Sequence, residues 1–343
     1  MIPVWRDVDW AFAAPNPVKY EIDNEGETVY TGMATPRPNE ENVTIRISEF
    51  AKNIVNSDCE LYFGSYEETF ELPNYCKQIG CKLEGQNRLY GYFINDYDYN
   101  FDSGNLMGQV HIIGSHTDQW NKGKNGQIGK ITKHGNYLFT IFNPTNTTFN
   151  ITITNTKESN GYRKITWYDE YPIRAKQALV FMVCGLEYEW LNIEIPEEEF
   201  VMGRFKVVDS CNQYNLHYLN AAGGYSTLAL EGKKGKRIDD FTFDYFKTRG
   251  HINDYNQPQM HKYKVDITPK WELQTGWLSD EDSQLMYNVF GSQKMWLEDN
   301  ETGKIYPVYI TNTNCEYKTF TNQGRKKYNY SISLTSANTL IKL

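Results

Sequence analysis

Residues 270–282 read Lys-Trp-Glu-Leu-Gln-Thr-Gly-Trp-Leu-Ser-Asp-Glu-Asp, and this run narrows the possible folds more than any other. It reads as a strand that turns at Gly276 and continues straight into a capped helix. Ser279 and Asp282 stand at capping-box spacing, with Asp in place of the usual Glu or Gln. Leu285, Met286, Val289 and Phe290 supply the apolar face, and Gly291 can end the helix. Further on, residues 294–298 and 304–311 flank a polar turn at 299–303, and 328–334 alternates as a strand does. A β-sheet with one packed helix therefore forms the end of the chain.

The rest of the sequence also favours strands. Of 343 residues, 40% are hydrophobic, enough for packed cores, and the 26 Tyr suit sheet faces and contact surfaces. Asp23-Asn24-Glu25-Gly26 is a hairpin turn between strands at 18–22 and 28–31, since Asn and Gly tolerate positive φ. Residues 43–47 alternate, and Ser48 is placed to cap a short helix over 49–55 with Phe50, Ala51 and Ile54 inward. Strands punctuated about every ten residues between 130 and 199 fit a β-sandwich. Residues 66–129 are richer in Tyr, Asn, Asp and Gly and read as a loop-rich insertion or small lobe. The expected fold is mainly β, between all-β and α+β. A sandwich domain covers 1–65 and 130–199, the insertion covers 66–129, and an assembly domain of sheet plus helix covers 200–343.

Chemistry is sparse. The chain has no phosphate loop, dinucleotide fingerprint, nucleophile elbow or zinc-protease helix. Cys76 and Cys81 lack the second pair that a zinc ribbon needs, and the six His show no ligand spacing. Buried or half-buried thiols and surface or satisfied loop histidines are the expected state. No catalytic residue, cofactor or metal is assigned. A net charge of -8 argues against binding nucleic acid through its phosphates. The longest apolar stretch, 178–186, falls short of the ~20 residues of a membrane helix, so no membrane span is expected. The first residues lack an apolar signal core, which implies folding in a cytoplasm.

Two features look like contact surfaces. Residues 90–101 alternate aromatic and acidic side chains, with Tyr92, Tyr97 and Tyr99 as a platform and Asp96, Asp98 and Asp102 beside it. The one basic cluster, Lys233, Lys234, Lys236 and Arg237 between glycines, reads as a hairpin tip facing solvent or an acidic neighbour.

A resemblance sharpens this picture. Pro3-Val4-Trp5-Arg6-Asp7, Tyr20-Glu21-Ile22-Asp23, Thr28 to Ala34 and Val43-Thr44-Ile45-Arg46-Ile47 form one set of matching stretches. Tyr218-Leu219-Asn220-Ala221-Ala222-Gly223-Gly224-Tyr225 and Trp271 to Glu281 form another. These stretches resemble virion proteins of phages that infect Bacteroidetes, particularly the tail hub or ring proteins of crAss-like short-tailed phages. They cover less than a third of the chain. The resemblance implies a non-enzymatic virion protein of the tail, made in the bacterial host cytoplasm. It implies a tail-tube or hub-like fold and a cyclic homo-oligomer, six- or twelvefold, around the DNA conduit. Other tail and portal proteins would be its neighbours. The wall of that ring would draw on Trp271, Trp277, Leu285, Phe290, Trp296 and Tyr309. Outward contacts would come from Tyr92, Tyr97, Tyr99, Lys233, Lys234, Lys236 and Arg237. Two alternatives follow from the residues themselves. One is a carbohydrate-binding adhesin that stacks sugars on the Tyr92–Tyr99 platform. The other is a polysaccharide hydrolase with an unrecognised carboxylate pair.

Overall fold

The hairpin turn at Asp23 forms with Glu25 and Gly26 both at positive φ (54° and 95°), and the Gly26 amide donates to Asp23 Oδ1 at 3.0 Å. In the computed structural model this turn joins Val18–Asn24 to Glu27–Ala34 at the edge of a five-stranded sheet. The structure describes all residues except 6, 60, 62, 64–68, 96–109, 114–126, 160–161, 185–188, 197–199, 209–213, 248–259, 277, 279–285, 313–317, 323–324, 339 and 343. The chain divides into two units. The first comprises Met1–Gly129, Tyr137–Val207 and Leu219–Ser226; the second comprises Lys130–Asn136, Val208–Tyr218 and Thr227–Leu343.

The edge hairpin continues inward through Cys76–Leu83 and Leu89–Ile94 to the short parallel strand Ile2–Pro3. Two of these strands come from residues read above as a loop-rich insertion. In Cys76–Leu83 the inward positions Ile79, Cys81 and Leu83 are fully buried, yet Gly80, Lys82 and the cysteines dilute the alternation in the sequence. Burial also pushes the Cys76 thiol up to about 12 and the Cys81 thiol up to about 11. Both thiols are free and held in the protonated, unreactive form. Asp9–Ala13 pairs with Asn42–Arg46, and helix Ile47–Ile54 packs on the same core. Ser48 is not its cap. It lies buried inside the helix, accepting a bond from the Val8 amide at 3.3 Å, and Arg46 holds the cap position without a side-chain bond. Burying Ile47 moved the helix start ahead of the polar signal.

The first unit also contains a sandwich. One antiparallel sheet orders Phe200–Val208, Trp190–Ile195, Phe149–Ser159 and Tyr162–Ile173. The other orders Thr69–Glu71, Ala178–Val183, Tyr137–Phe142 and His111–Ile112. Aromatic rings interlock between them: Tyr137 meets Phe205 at 5.5 Å and Tyr171 meets Phe181 at 5.2 Å.

In the second unit the strands run in the order Tyr225–Lys247, Tyr214–Leu219, Met295–Asp299, Lys304–Ile310, Ser331–Ser336 and Met260–Gln274. The last of these pairs back onto the first, so the sheet closes into a barrel. Leu216, Leu230, Trp271, Leu273, Leu297, Ile332 and Leu334 fill it. Residues 286–290 are helical and add Met286 and Val289 to that core, in line with the expected apolar face. The capping position Ser279 lies outside the described residues.

Candidate assembly surface

Strand Tyr225–Lys247 changes partner along its length. It starts as a hairpin with Tyr214–Leu219, then crosses to Met260–Gln274 with a register shift between Glu231 and Lys236. The basic run therefore lies in a bulge where the barrel closes and not at a hairpin tip. Gly232 and Gly235 lie within this bulge. Lys233, Lys234 and Lys236 lie on the bulge strand, and Arg237 follows it.

Arg237 is exposed, and its guanidinium lies 5.8 Å from the Trp271 ring and 5.9 Å from the Tyr306 ring. Its Nε donates to Asp239 Oδ1 at 3.0 Å, which fixes the planar group over the aromatic pair. The two rings are 5.1 Å apart.

Strand Met260–Gln274 pairs with Ser331–Ser336 only from Lys270 to Gln274, and on the amino-terminal side of Lys270 it runs with Tyr225–Lys247 as a ribbon. Leu340–Lys342 borders it at Val265 to Ile267. Phe241 sits opposite Ile267 and Phe243 opposite Val265, and the two Phe rings stack at 6.2 Å. Cross-strand pairs share a face, so these four residues make one apolar side. The other side carries Asp240, Thr242, Asp244, Asp266 and Thr268, with an ion pair from Lys270 to Asp240. The apolar side is uncovered at its centre, where Phe241 is 54% exposed.

Other sites expected from sequence are scattered. Trp271 is 1% exposed and belongs to the barrel core. Phe290 and Trp296 are half-buried, and Phe290 packs on the same core. Tyr309 is exposed on Lys304–Ile310, as is Tyr287 on the helical turn. Tyr92 lies on the outer face of the first sheet beside exposed Tyr90, and the Lys176 ammonium sits 5.0 Å above its ring, where a stacked sugar would have to lie. Trp277, Leu285, Tyr97, Tyr99, Asp96, Asp98 and Asp102 lie outside the described residues. The structure thus joins Arg237 to Trp271 and brings in Tyr306, Phe241 and Phe243, which the sequence reading passed over. Two period-2 runs, Phe241-Thr242-Phe243 and Val265-Asp266-Ile267, were the signal that could have found the ribbon face.

A buried polar row crosses the barrel wall. His217 is fully buried, with Nδ1 2.8 Å from Thr227 Oγ1 and Nε2 3.2 Å from Glu298 Oε2. This histidine lies in a strand and not in a loop. Glu298 also accepts from the Asn136 amide at 2.8 Å and from Asn136 Nδ2 at 2.7 Å. Burial by itself pushes the Glu298 carboxyl up. The hydrogen bond and charge of His217, with bonds from Asn136 and Asn215, outweigh it and hold the carboxyl below its ordinary 4.5. Hydroxyl, imidazole and carboxylate stand in line, but the imidazole is closed to any substrate, so the row ties strands together. Among the described residues no cluster of three or more His, Cys, Asp or Glu is placed to hold a metal, and no helix is long and apolar enough to cross a membrane. No protein-family model and no curated protein matches the chain.

Proposed function

We propose that the protein is a structural, non-enzymatic subunit of a bacteriophage tail, a hub or ring component in the virion. Its copies close into a cyclic ring that joins neighbouring tail proteins around the DNA conduit. The observation that carries this reading is the ribbon: a closed barrel extends two long strands past its own core with an uncovered apolar side. A ribbon of so few strands is marginal in water by itself and gains its stability from what it packs against. Among the described strands the barrel wall leaves no edge open, and an arm that projects from such a wall suits a part that is joined to others. The resemblance of the 218–225 and 271–281 stretches to tail hub and ring proteins points the same way.

The test is native mass spectrometry of the purified full chain over a wide concentration range, with imaging of any multimer. A discrete multiple of the 40.0 kDa subunit with a central opening is expected. A chain that stays monomeric throughout and binds immobilised glycans would overturn the reading in favour of an adhesin.

A further inference from the structure

We propose that the outer face of the first sheet binds a carboxylated sugar, with Arg88 taking the carboxylate and Tyr90 stacking on the sugar ring. This goes beyond the ring reading and does not depend on it. Tyr90 lies opposite Gly80 and Gly80 opposite Asp23, so the three stand in one row across three strands. Cross-strand partners share a face. Leu89 lies opposite fully buried Cys81, which turns its neighbour Tyr90 to the outer side. There Tyr90 is 65% exposed. The nearby Tyr92 ring is covered by the Lys176 ammonium at 5.0 Å, so Tyr90 is the open platform of the two.

The row is built around an absent side chain. A Cβ on Gly80 would overlap the Asp23 carboxylate, which leans across it. Asp23 is 4% exposed, and its Oδ1 accepts from the Gly26 amide at 3.0 Å. Its Oδ2 lies 3.2 Å from Arg88 Nε, while the Arg88 side chain keeps 37% of its surface exposed. A surface arginine ordinarily spreads over many rotamers. Here a buried carboxylate, itself fixed by a turn amide, holds the guanidinium two residues from Tyr90. An ion pair made through Nε leaves the two terminal nitrogens to grip a second carboxylate with both of its oxygens. The ordering that such a grip requires is already present before a ligand arrives.

The surroundings select the ligand. Lys82 directly follows Cys81 and Arg88 directly precedes Leu89, so exposed Lys82 stands beside Arg88 on the neighbouring strand. Lys82 also lines an open depression of about 450 Å³ with Lys19, Glu21 and Glu84, a volume that suits a small ligand. Lys19 and Glu21 offset each other at 3.5 Å, and Glu84, nearer the turn, turns a carboxylate away towards Lys82 and Arg88. A peptide laid over this face finds no backbone partner, because Cys76–Leu83 is paired on both sides. Strand addition needs a free edge. What the face offers is a flat ring beside a planar fork. A sugar acid presents the two matching groups, an apolar ring face and a planar carboxylate.

The test is calorimetry on the full chain with short oligomers of galacturonate, glucuronate and sialate, each beside its carboxyl-reduced form, and with tetraglutamate. At least one sugar acid should bind, on the order of tenfold or more tighter than its reduced form. Tyr90→Ala, at an exposed side chain, should lower that affinity on the order of tenfold and leave the urea midpoint unchanged. Arg88→Lys keeps a cation beside buried Asp23 and removes the fork, and a loss of similar size is expected. Equal affinity for the reduced forms would overturn the proposal, as would affinity untouched by both variants. Tetraglutamate bound as tightly as the sugars would overturn it in favour of an acidic peptide. Absence of binding by every sugar acid at millimolar concentration would overturn it outright. Ring closure is read separately by native mass, so the two readings fail independently.

Discussion

At the scale of single residues, Asn220 and Gly223 show how a turn is built into a core. Asn220 Oδ1 accepts from the Ala222 and Gly224 amides, both at 3.0 Å, and its Nδ2 donates to the Ile113 carbonyl at 3.2 Å and to Ser226 Oγ at 2.9 Å. Around it the Tyr75 hydroxyl donates to the Ala222 carbonyl at 3.1 Å and the Tyr225 hydroxyl to the Ser57 carbonyl at 3.0 Å. Ser57 in turn donates to the Gly223 carbonyl and accepts from Asn95 Nδ2 at 2.7 Å. Gly223 takes φ +80°, and a Cβ there would overlap the Asn95 carbonyl oxygen. Gly223→Ala therefore combines backbone strain with a clash against main chain that has no room to yield. A loss of roughly 2–4 kcal/mol is expected, read as a lower urea midpoint with unchanged slope. Paired glycines after two alanines are a turn signal that is legible in the sequence. The docking of that turn is not, because Ser57, Tyr75 and Asn95 are distant in the chain and no local pattern links them.

At the scale of elements, sequence reasoning succeeded where a strand is clean and failed where a strand changes role midway. The 23–26 hairpin and the alternation at 43–47 predicted their strands, because one face is buried along the whole length. The basic run lies in a bulge and not at a hairpin tip, and the sequence does not separate the two because glycine beside lysine occurs in both. Trp271 shows a second limit. A large aromatic ring suits a contact surface or a core equally well, and only the closure of the barrel puts it inside. Trp271→Ala should cost about 3–5 kcal/mol, since it empties a volume bounded by Tyr306 and the barrel strands. Tyr309→Ala, on the exposed side of its strand, should change stability by about 0.5 kcal/mol or less. Thermal melts of the two variants at one concentration distinguish these roles. A reversal of the order would place Trp271 on a contact surface after all.

At the scale of the whole chain, the two units rely on different chemistry at their centres, and acid should separate them. The polar network around Asn220 and Tyr225 in the first unit is built from Asn, Ser, Thr and Tyr groups, which do not titrate below neutral pH, and the buried carboxylate of that unit, Asp23, sits apart from it at the edge hairpin. The barrel depends on ionised Glu298, held by His217 and Asn136. A carboxyl whose value is lowered by folding contributes stability that is complete above its ordinary value. That contribution is lost as pH falls through the lowered one. For Glu298 the loss begins below about 4.5 and grows with further acidification. Hydrogen exchange, corrected for the intrinsic rate at each pH, should therefore show the amides of Tyr214–Leu219 and Met295–Asp299 losing protection in that range. Those of Tyr137–Phe142 should hold longer. Glu298→Gln keeps the shape and removes the titration. It should weaken the barrel by roughly 1–3 kcal/mol at neutral pH, because a buried charge-assisted bond is replaced by a neutral one. Its stability should then no longer fall with acid in the window where the native protein's does. An unchanged acid profile in that variant would mean that other carboxylates set the acid limit and that the buried row contributes packing alone.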